Sequence, residues 1–358
     1  MTTISLSDNE TLIIGAGISG VSSALTIAFE DNKRVEKKTK LINDNPNLTD
    51  DQKKAAIARL ESSRRKIIIC DRATKLFCEA SGIHPGREAL GFHYGFWDTA
   101  KSNLEKSLEF SHVFDEMLCE AGLDKLHHIG DNFAKTSPDS TPPIARGSYS
   151  IHKDSKLKDR NGKQIKNVPK HMLELYLRLA VYYRKLKPEQ QRAGKPEDFL
   201  KLYMPIDPEK TETLWKMYCE ILYSDSTSEL HTAGFGKTKD EFLSKLTPAP
   251  LYHAMRNTHD VVFTAETAEK LLDVSQFKSS VDTLLTKEPY KSQIQINYNT
   301  EITAIEQCAD NGSEKLLSVK CRDTRNSERT TYLTNQATLA TWQNNTEMVQ
   351  KAGGNPHG

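Results

Sequence analysis

The 358 residues are enough to bury a large core, as two domains or as one large α/β unit. Basic and acidic residues nearly cancel, 49 Lys and Arg against 48 Asp and Glu, which removes any whole-chain attraction to nucleic acid or to an anionic membrane. A mean hydropathy of −0.60 describes a chain with much charged surface, and apart from residues 12–29 no stretch could span a bilayer.

The first predicted element is the apolar strand Leu12-Ile13-Ile14, which runs into Gly15-Ala16-Gly17-Ile18-Ser19-Gly20 and then into a small-residue helix over 21–28. In this Gly-x-Gly-x-x-Gly pattern each glycine has a job. Gly15 turns the chain off the strand, Gly17 leaves room for a pyrophosphate against the backbone, and Gly20 lets the helix pack close to the sheet. The helix N-terminus then offers N–H groups and the positive end of its dipole to the phosphates. The alternative is a glycine-rich turn that needs only positive φ. The strand–turn–helix context favours dinucleotide binding. Residues 12–29 also resemble a signal peptide in length, but Asp8 and Glu10 stand where such a peptide needs positive charge, so a cytoplasmic protein is expected.

Residues 30–66 are charged and read as an inserted, mostly helical hairpin on the surface. Thr49 is its candidate N-cap, with Gln52 completing a capping box. Its basic residues read as a solvated face. Lys66-Ile67-Ile68-Ile69-Cys70-Asp71 is a second buried strand ending in an acid. In a dinucleotide fold that acid meets a ribose hydroxyl about 20 residues after the glycines. Asp71 takes that role only if 30–66 is an excursion between first helix and second strand; otherwise it is a solvent-facing strand end.

Residues 80–95, rich in Gly, Ser and His, read as an extended loop passing a ligand. Helices are predicted over 99–121, 169–186, 196–203, 208–223 and 267–285, and strands over 127–137 and 261–264. The stretch 292–342 is strand-rich, with β segments at 294–298, 300–305, 315–321, 329–332 and 336–342. The six cysteines contain no Cys-x-x-Cys pair, which excludes zinc-ribbon and thioredoxin-like readings and leaves buried free thiols. His127-His128 and His253 with His259 lack the spacing of a metal site, so no metal is expected. Gly234-Phe235-Gly236-Lys237-Thr238 ends like a P-loop, but His231 stands where the first glycine belongs. Nor is Gly17-Ile18-Ser19-Gly20 a nucleophile elbow, since Val21 replaces its last glycine. Arg87 and Arg256 either grip a substrate carboxylate or form surface salt bridges.

Three signals in fixed order, the glycine turn with its later acid, the 80–95 loop and Ala340-Thr341-Trp342 after a β-meander, resemble the FAD-dependent oxidoreductases of the D-amino-acid oxidase-like superfamily. In the loop, Ser81, Gly86, Gly91, His93 and Tyr94 carry the match. The family's asparagine is absent, with His84 or Pro85 near its place. The resemblance implies an α/β fold: a Rossmann-like FAD-binding domain with a β-meander and an inserted, mostly helical substrate region. Residues 1–136 would begin the FAD domain, 137–260 form the substrate region, and 261–358 return to the FAD domain. Gly15, Ala16, Gly17, Ile18, Ser19 and Gly20 would hold the FAD pyrophosphate. Asp71 would bind the adenosine ribose, with Arg72 in the same cofactor-binding set. Ile302 would lie against the adenine, Ala340 and Thr341 near the cofactor, and Ser81 and Gly82 on the flavin side.

The implied activity is oxidation of a small amine, amino acid or hydroxy acid by hydride transfer to flavin, with His93, Tyr94 and Arg87 as candidate catalytic groups. The alternatives are an NAD(P)-dependent dehydrogenase and a non-catalytic scaffold. Neither the loop nor the late meander belongs to a simple nicotinamide domain. Family members continue past the Ala-Thr strand and return a further strand and turn to the flavin ring. This sequence ends at Gly358, so an open flavin end, weak FAD binding and little or no turnover are expected.

Overall fold

The structure is a computed structural model and describes residues 2–78, 86, 88–128, 146–159, 161–223, 229–248, 260–308 and 316–340. In chain order the elements are β1 (Thr2–Ser5), β2 (Glu10–Ile14), α1 (Ile18–Asn43), α2 (Asp50–Ser62), β3 (Lys66–Cys70), α3 (Trp97–Glu120), β4 (Arg146–His152), α4 (Val168–Lys185), β5 (Leu200–Leu202), α5 (Pro208–Leu222), α6 (Lys239–Lys245), β6 (Val261–Lys270), α7 (Val274–Thr286), α8 (Tyr290–Gln293), β7 (Ile294–Asn297), β8 (Thr300–Cys308), β9 (Leu316–Asp323), β10 (Arg329–Thr334) and β11 (Ala337–Leu339). The chain divides into two compact units. The first comprises Met1–His84, Met117–Asp124 and Ser275–Gly358, the second Pro85–Glu116 and Lys125–Val274.

The first unit is built on a parallel sheet of strand order β11-β2-β3-β7. Leu12, Ile13, Ile67 and Ile69 are all fully buried, as parallel strands covered on both faces require. Helix α1 packs on β2, β3 and β7. The meander β8-β9-β10, with β1 added in parallel to β10, brings Ile302, Ile305, Val319, Cys321 and Tyr332 against Leu12, Ile14, Ile68 and Cys70. β7 and β11 are the two edges of the parallel sheet, so the meander is the chain's route from one edge to the other.

The excursion between β2 and β3 is helical, and the two strands are parallel neighbours paired from Glu10↔Lys66 to Ile14↔Cys70. Its first half is the unbroken continuation of α1 to Asn43. α2 opens with the capping box read from the sequence: Gln52 N–H donates to Thr49 Oγ1 at 3.3 Å, and Thr49 N–H donates to Gln52 Oε1 at 2.9 Å. The half-buried residues Lys53, Ala56, Ile57 and Leu60 recur at helical spacing, and α2 packs on α1 without burying any residue fully.

The second unit surrounds an antiparallel sheet of order β4-β6-β5, which the expectation of a mostly helical region did not include. Two predicted helices are corrected here. Over 196–203, Pro196–Asp198 is only a single 3₁₀ turn, and the chain then enters β5, with Leu200 and Leu202 buried on one face. Over 267–285, β6 extends to Lys270 and the helix begins at Val274. In both places strand pairing overrides helical propensity, because β6 is the central strand and Thr267, Glu266 and Ala265 pair with Leu200, Lys201 and Leu202. β6 therefore falls in the second unit, and the return to the first comes after Val274 rather than at 261. Of the predicted 127–137 strand only His127 and His128 are described, and His128 forms an isolated bridge to Leu272.

The core of this unit is aromatic. Tyr183 stacks on Phe199 at 4.1 Å between ring centroids, and Tyr218 on Phe242 at 4.6 Å. Tyr218 belongs to the stripe on α5 read as core from its spacing. Glu269 is fully buried here, accepting from Leu90 N–H at 2.8 Å and from the Tyr149 hydroxyl.

Candidate functional site

The glycine turn sits at the C-terminal end of β2. Gly15 has φ +107°, where an L side chain is strained, and its N–H donates to Cys70 O at 2.8 Å. Gly17 caps α1 without a side-chain hydrogen bond, and the first turn of α1 carries no acidic residue. No carboxylate of α1 itself sits at the positive end of its dipole; the one that reaches the turn is Asp71, on Ala16 N–H. Gly20 lies in the first turn of α1. A Cβ there would come within 1.9 Å of Gly15 O and 3.3 Å of Ala340 Cβ. Ala16 is buried, whereas Ile18 and Ser19 are exposed beside it.

Asp71 follows β3 directly and reaches into the same turn. One carboxylate oxygen accepts from Ala16 N–H and the other from Ala73 N–H, the latter at 2.7 Å. Its main chain is held from both sides, by its N–H to Asn297 O at 3.0 Å and its carbonyl from Thr300 N–H at 2.7 Å. Each carboxylate oxygen keeps a further lone pair for a hydroxyl donor. Arg72 is exposed next to it. Ala340 continues the ladder past β11, its N–H donating to Ile14 O at 2.8 Å. The turn, Asp71 and Ala340 are therefore brought together.

Ile302 is different. Its side chain is 8 % exposed and packs into the core with Ile14, Cys70 and Cys321, so only its main chain on the edge strand β8 remains to face a ligand. Ser81, Gly82, Arg87 and Thr341 lie outside the described residues, as do His253, Arg256 and His259. His93 and Tyr94 belong to the second unit. His93 is exposed, its ring 4.0 Å from that of Tyr94, which packs against that unit's core.

Three groups around the turn escaped the sequence reading. Phe77 donates its N–H to Ala16 O at 3.4 Å, and its buried ring lies 5.7 Å from Phe277. Asn297 holds Asp71 through its carbonyl. Tyr298 is pushed up by burial and by the nearby carboxylates of Asp282 and Asp71, which keeps its phenol neutral. No residue pattern announces these, because loop closure between β3 and the β7–β8 connection brings them there. Beneath the turn, the hydrogen bond to Cys70 and burial hold the Cys321 thiol well above the ordinary range, consistent with an inert buried thiol.

Among the described residues no cluster of His, Cys, Asp and Glu could hold a metal ion, and no helix is long and apolar enough to cross a membrane. The rejected P-loop segment is the start of α6, where Thr238 and Glu241 form a capping box and Lys237 N–H donates to Glu241 Oε2 at 2.7 Å. No protein-family model matches the chain, and no curated protein matches it.

Proposed function

We propose that the first unit binds FAD and that the protein is a flavin-dependent oxidoreductase of the D-amino-acid oxidase-like kind, acting on a small amine, amino acid or hydroxy acid. The observation that carries this reading is the meander that links the two edges of the parallel sheet and delivers Ala340 beside the glycine turn. A simple nicotinamide domain has no such connection.

The residues present fit the cofactor. The Gly15–Gly20 cradle accepts no added Cβ at Gly20, and the N-terminus of α1 points a positive dipole end at a pyrophosphate. Asp71 holds the turn through Ala16 and retains lone pairs for the two ribose hydroxyls. Bound FAD supplies the hydride acceptor. The chain's own part is to anchor the adenosine and pyrophosphate end, with Phe77 walling the turn from one side.

The test is flavin binding by the purified chain. At equilibrium with FAD, saturable binding with the yellow absorption of protein-bound flavin is expected. Colourless protein that binds NADH would replace this reading with a nicotinamide-dependent dehydrogenase, and colourless protein that binds neither would replace it with a scaffold.

A further inference from the structure

The meander sheet has a second face, turned away from the core, and its chemistry is not explained by the glycine turn. Val319, Cys321 and Tyr332 point inward, so alternation along β9 and β10 places Lys320, Arg322, Arg329 and Thr331 outward. The register sets them in rows. Glu301, Arg322 and Arg329 stand side by side across β8, β9 and β10, and in the next row Lys320 lies opposite Thr331. An open-sided cavity of about 310 Å³ lies over these rows, lined by Thr303, Lys320, Cys321, Arg322, Arg329, Thr330 and Thr331 and by no carboxylate of the described residues.

We propose that this cavity is a binding site for a phosphate group, separate from the glycine turn, with Arg329 as its principal contact and Arg322 and Lys320 beside it. Arg322 pairs with Glu301 at 2.5 Å and Lys320 with Glu306 at 2.7 Å, whereas Arg329 has no ion pair among the described residues. Two guanidinium groups directly opposite on a ladder repel each other, and an oxyanion between them converts that repulsion into charge-assisted hydrogen bonds. Thr331 adds an independent sign. It is 6 % exposed, and its hydroxyl has no hydrogen-bond partner among the described residues. A tetrahedral oxyanion offers oxygens to two guanidiniums and a hydroxyl at once, which a planar carboxylate does not. The volume is at the small end for ligand sites, so the ligand is inorganic phosphate or a small phosphomonoester.

Calorimetric titration with inorganic phosphate, against chloride at matched ionic strength, tests the site in the full chain. Wild type and Lys54→Ala, a change on the exposed face of α2, are expected to bind saturably alike. Arg329→Gln is expected to bind at least tenfold more weakly. Thr331→Val is expected to bind several-fold more weakly and to melt higher, because it removes a buried hydroxyl that lacks a partner. A second arm with glycerol phosphate names the source: tighter binding than phosphate supports a phosphomonoester, weaker binding free phosphate. Failure of wild type to bind above the chloride control overturns the proposal. Equal binding by Arg329→Gln overturns it as well.

Discussion

At the scale of single residues, the three glycines of the turn do different work, and substitution separates them. Gly17 has φ −75° and ψ −177°, a backbone any residue adopts. Gly17→Ala is therefore expected to fold with a stability change below about 1 kcal/mol, the range for cap substitutions. Its loss falls on the ligand, with FAD affinity expected to drop at least tenfold as the methyl group meets the pyrophosphate. Gly20→Ala is expected to fail in both respects, because its Cβ would stand 1.9 Å from Gly15 O and the backbone must move. Overpacking of this kind costs roughly 1–3 kcal/mol. Urea unfolding and FAD titration of the two variants check the split; equal destabilisation by both would mean that Gly17 is also a packing glycine. This much of the site was legible in the sequence, since glycine spacing after an apolar strand states a backbone requirement directly. The acid at Asp71 was legible only on condition that 30–66 leaves and returns, and the pairing of β2 with β3 meets that condition. Phe77 and Tyr298 were not legible, because their place depends on loops closing between distant segments.

At the scale of elements, the sequence was readable where one pattern acted alone and misleading where two competed. Thr49-Asp50-Asp51-Gln52 carries its own cap and α2 starts there. Pro196-Glu197-Asp198 also looks like a helix start, with proline early and acids in the first turn, yet the pairing of Leu200 and Leu202 with β6 ends it after one turn. Residues 267–270 read as helical by residue type and are strand because β4 pairs with β6 as far as Lys270 and β5 as far as Thr267. A pH-sensitive tie joins elements of the second unit. Glu88 hangs by its N–H on Lys270 O, and its carboxylate bonds His128 at 3.0 Å and Ser111 of α3. Burial alone would raise its pKa, but the bonds from His128 and Ser111, with the charges of His128 and Lys270, outweigh burial and hold it below the ordinary 4.5. A carboxyl lowered in the folded state contributes stability above its unfolded pKa and loses it as pH falls through the folded one. Wild-type stability is therefore expected to fall as pH drops below 4.5, and Glu88→Gln to flatten that part of the profile while costing stability at pH 7. Urea midpoints measured across this range decide the matter. An unchanged slope in the variant would place the acid sensitivity elsewhere.

At the scale of the whole molecule, the two units answer to different kinds of information. The second is held by an aromatic core whose residues could be recognised as core from their spacing but not assigned to a sheet. The first is held by a sheet sandwiched between α1 and the meander, and Ala340, beside the glycine turn, is delivered by that connection. Val319 shows how. It is fully buried at the centre of β9, between the meander and the β2–β3 face of the parallel sheet. Val319→Ala removes two methyl groups from that interface and is expected to cost about 2 kcal/mol. The meander also delivers β11, whose ladder ends with Ala340 against Ile14 and the first turn of α1. Loosening the meander should let Ala340 and the glycine turn fluctuate, so FAD affinity is expected to fall several-fold although Val319 is part of no cradle. Surface Lys54→Ala on α2 serves as the control, with neither stability nor affinity expected to move. Hydrogen exchange at the Ala340 and Gly15 amides reports the coupling itself, and both are expected to exchange faster in Val319→Ala. A variant that loses stability yet binds FAD with wild-type affinity, at unchanged exchange of those two amides, would show that the meander closes the core without shaping the site.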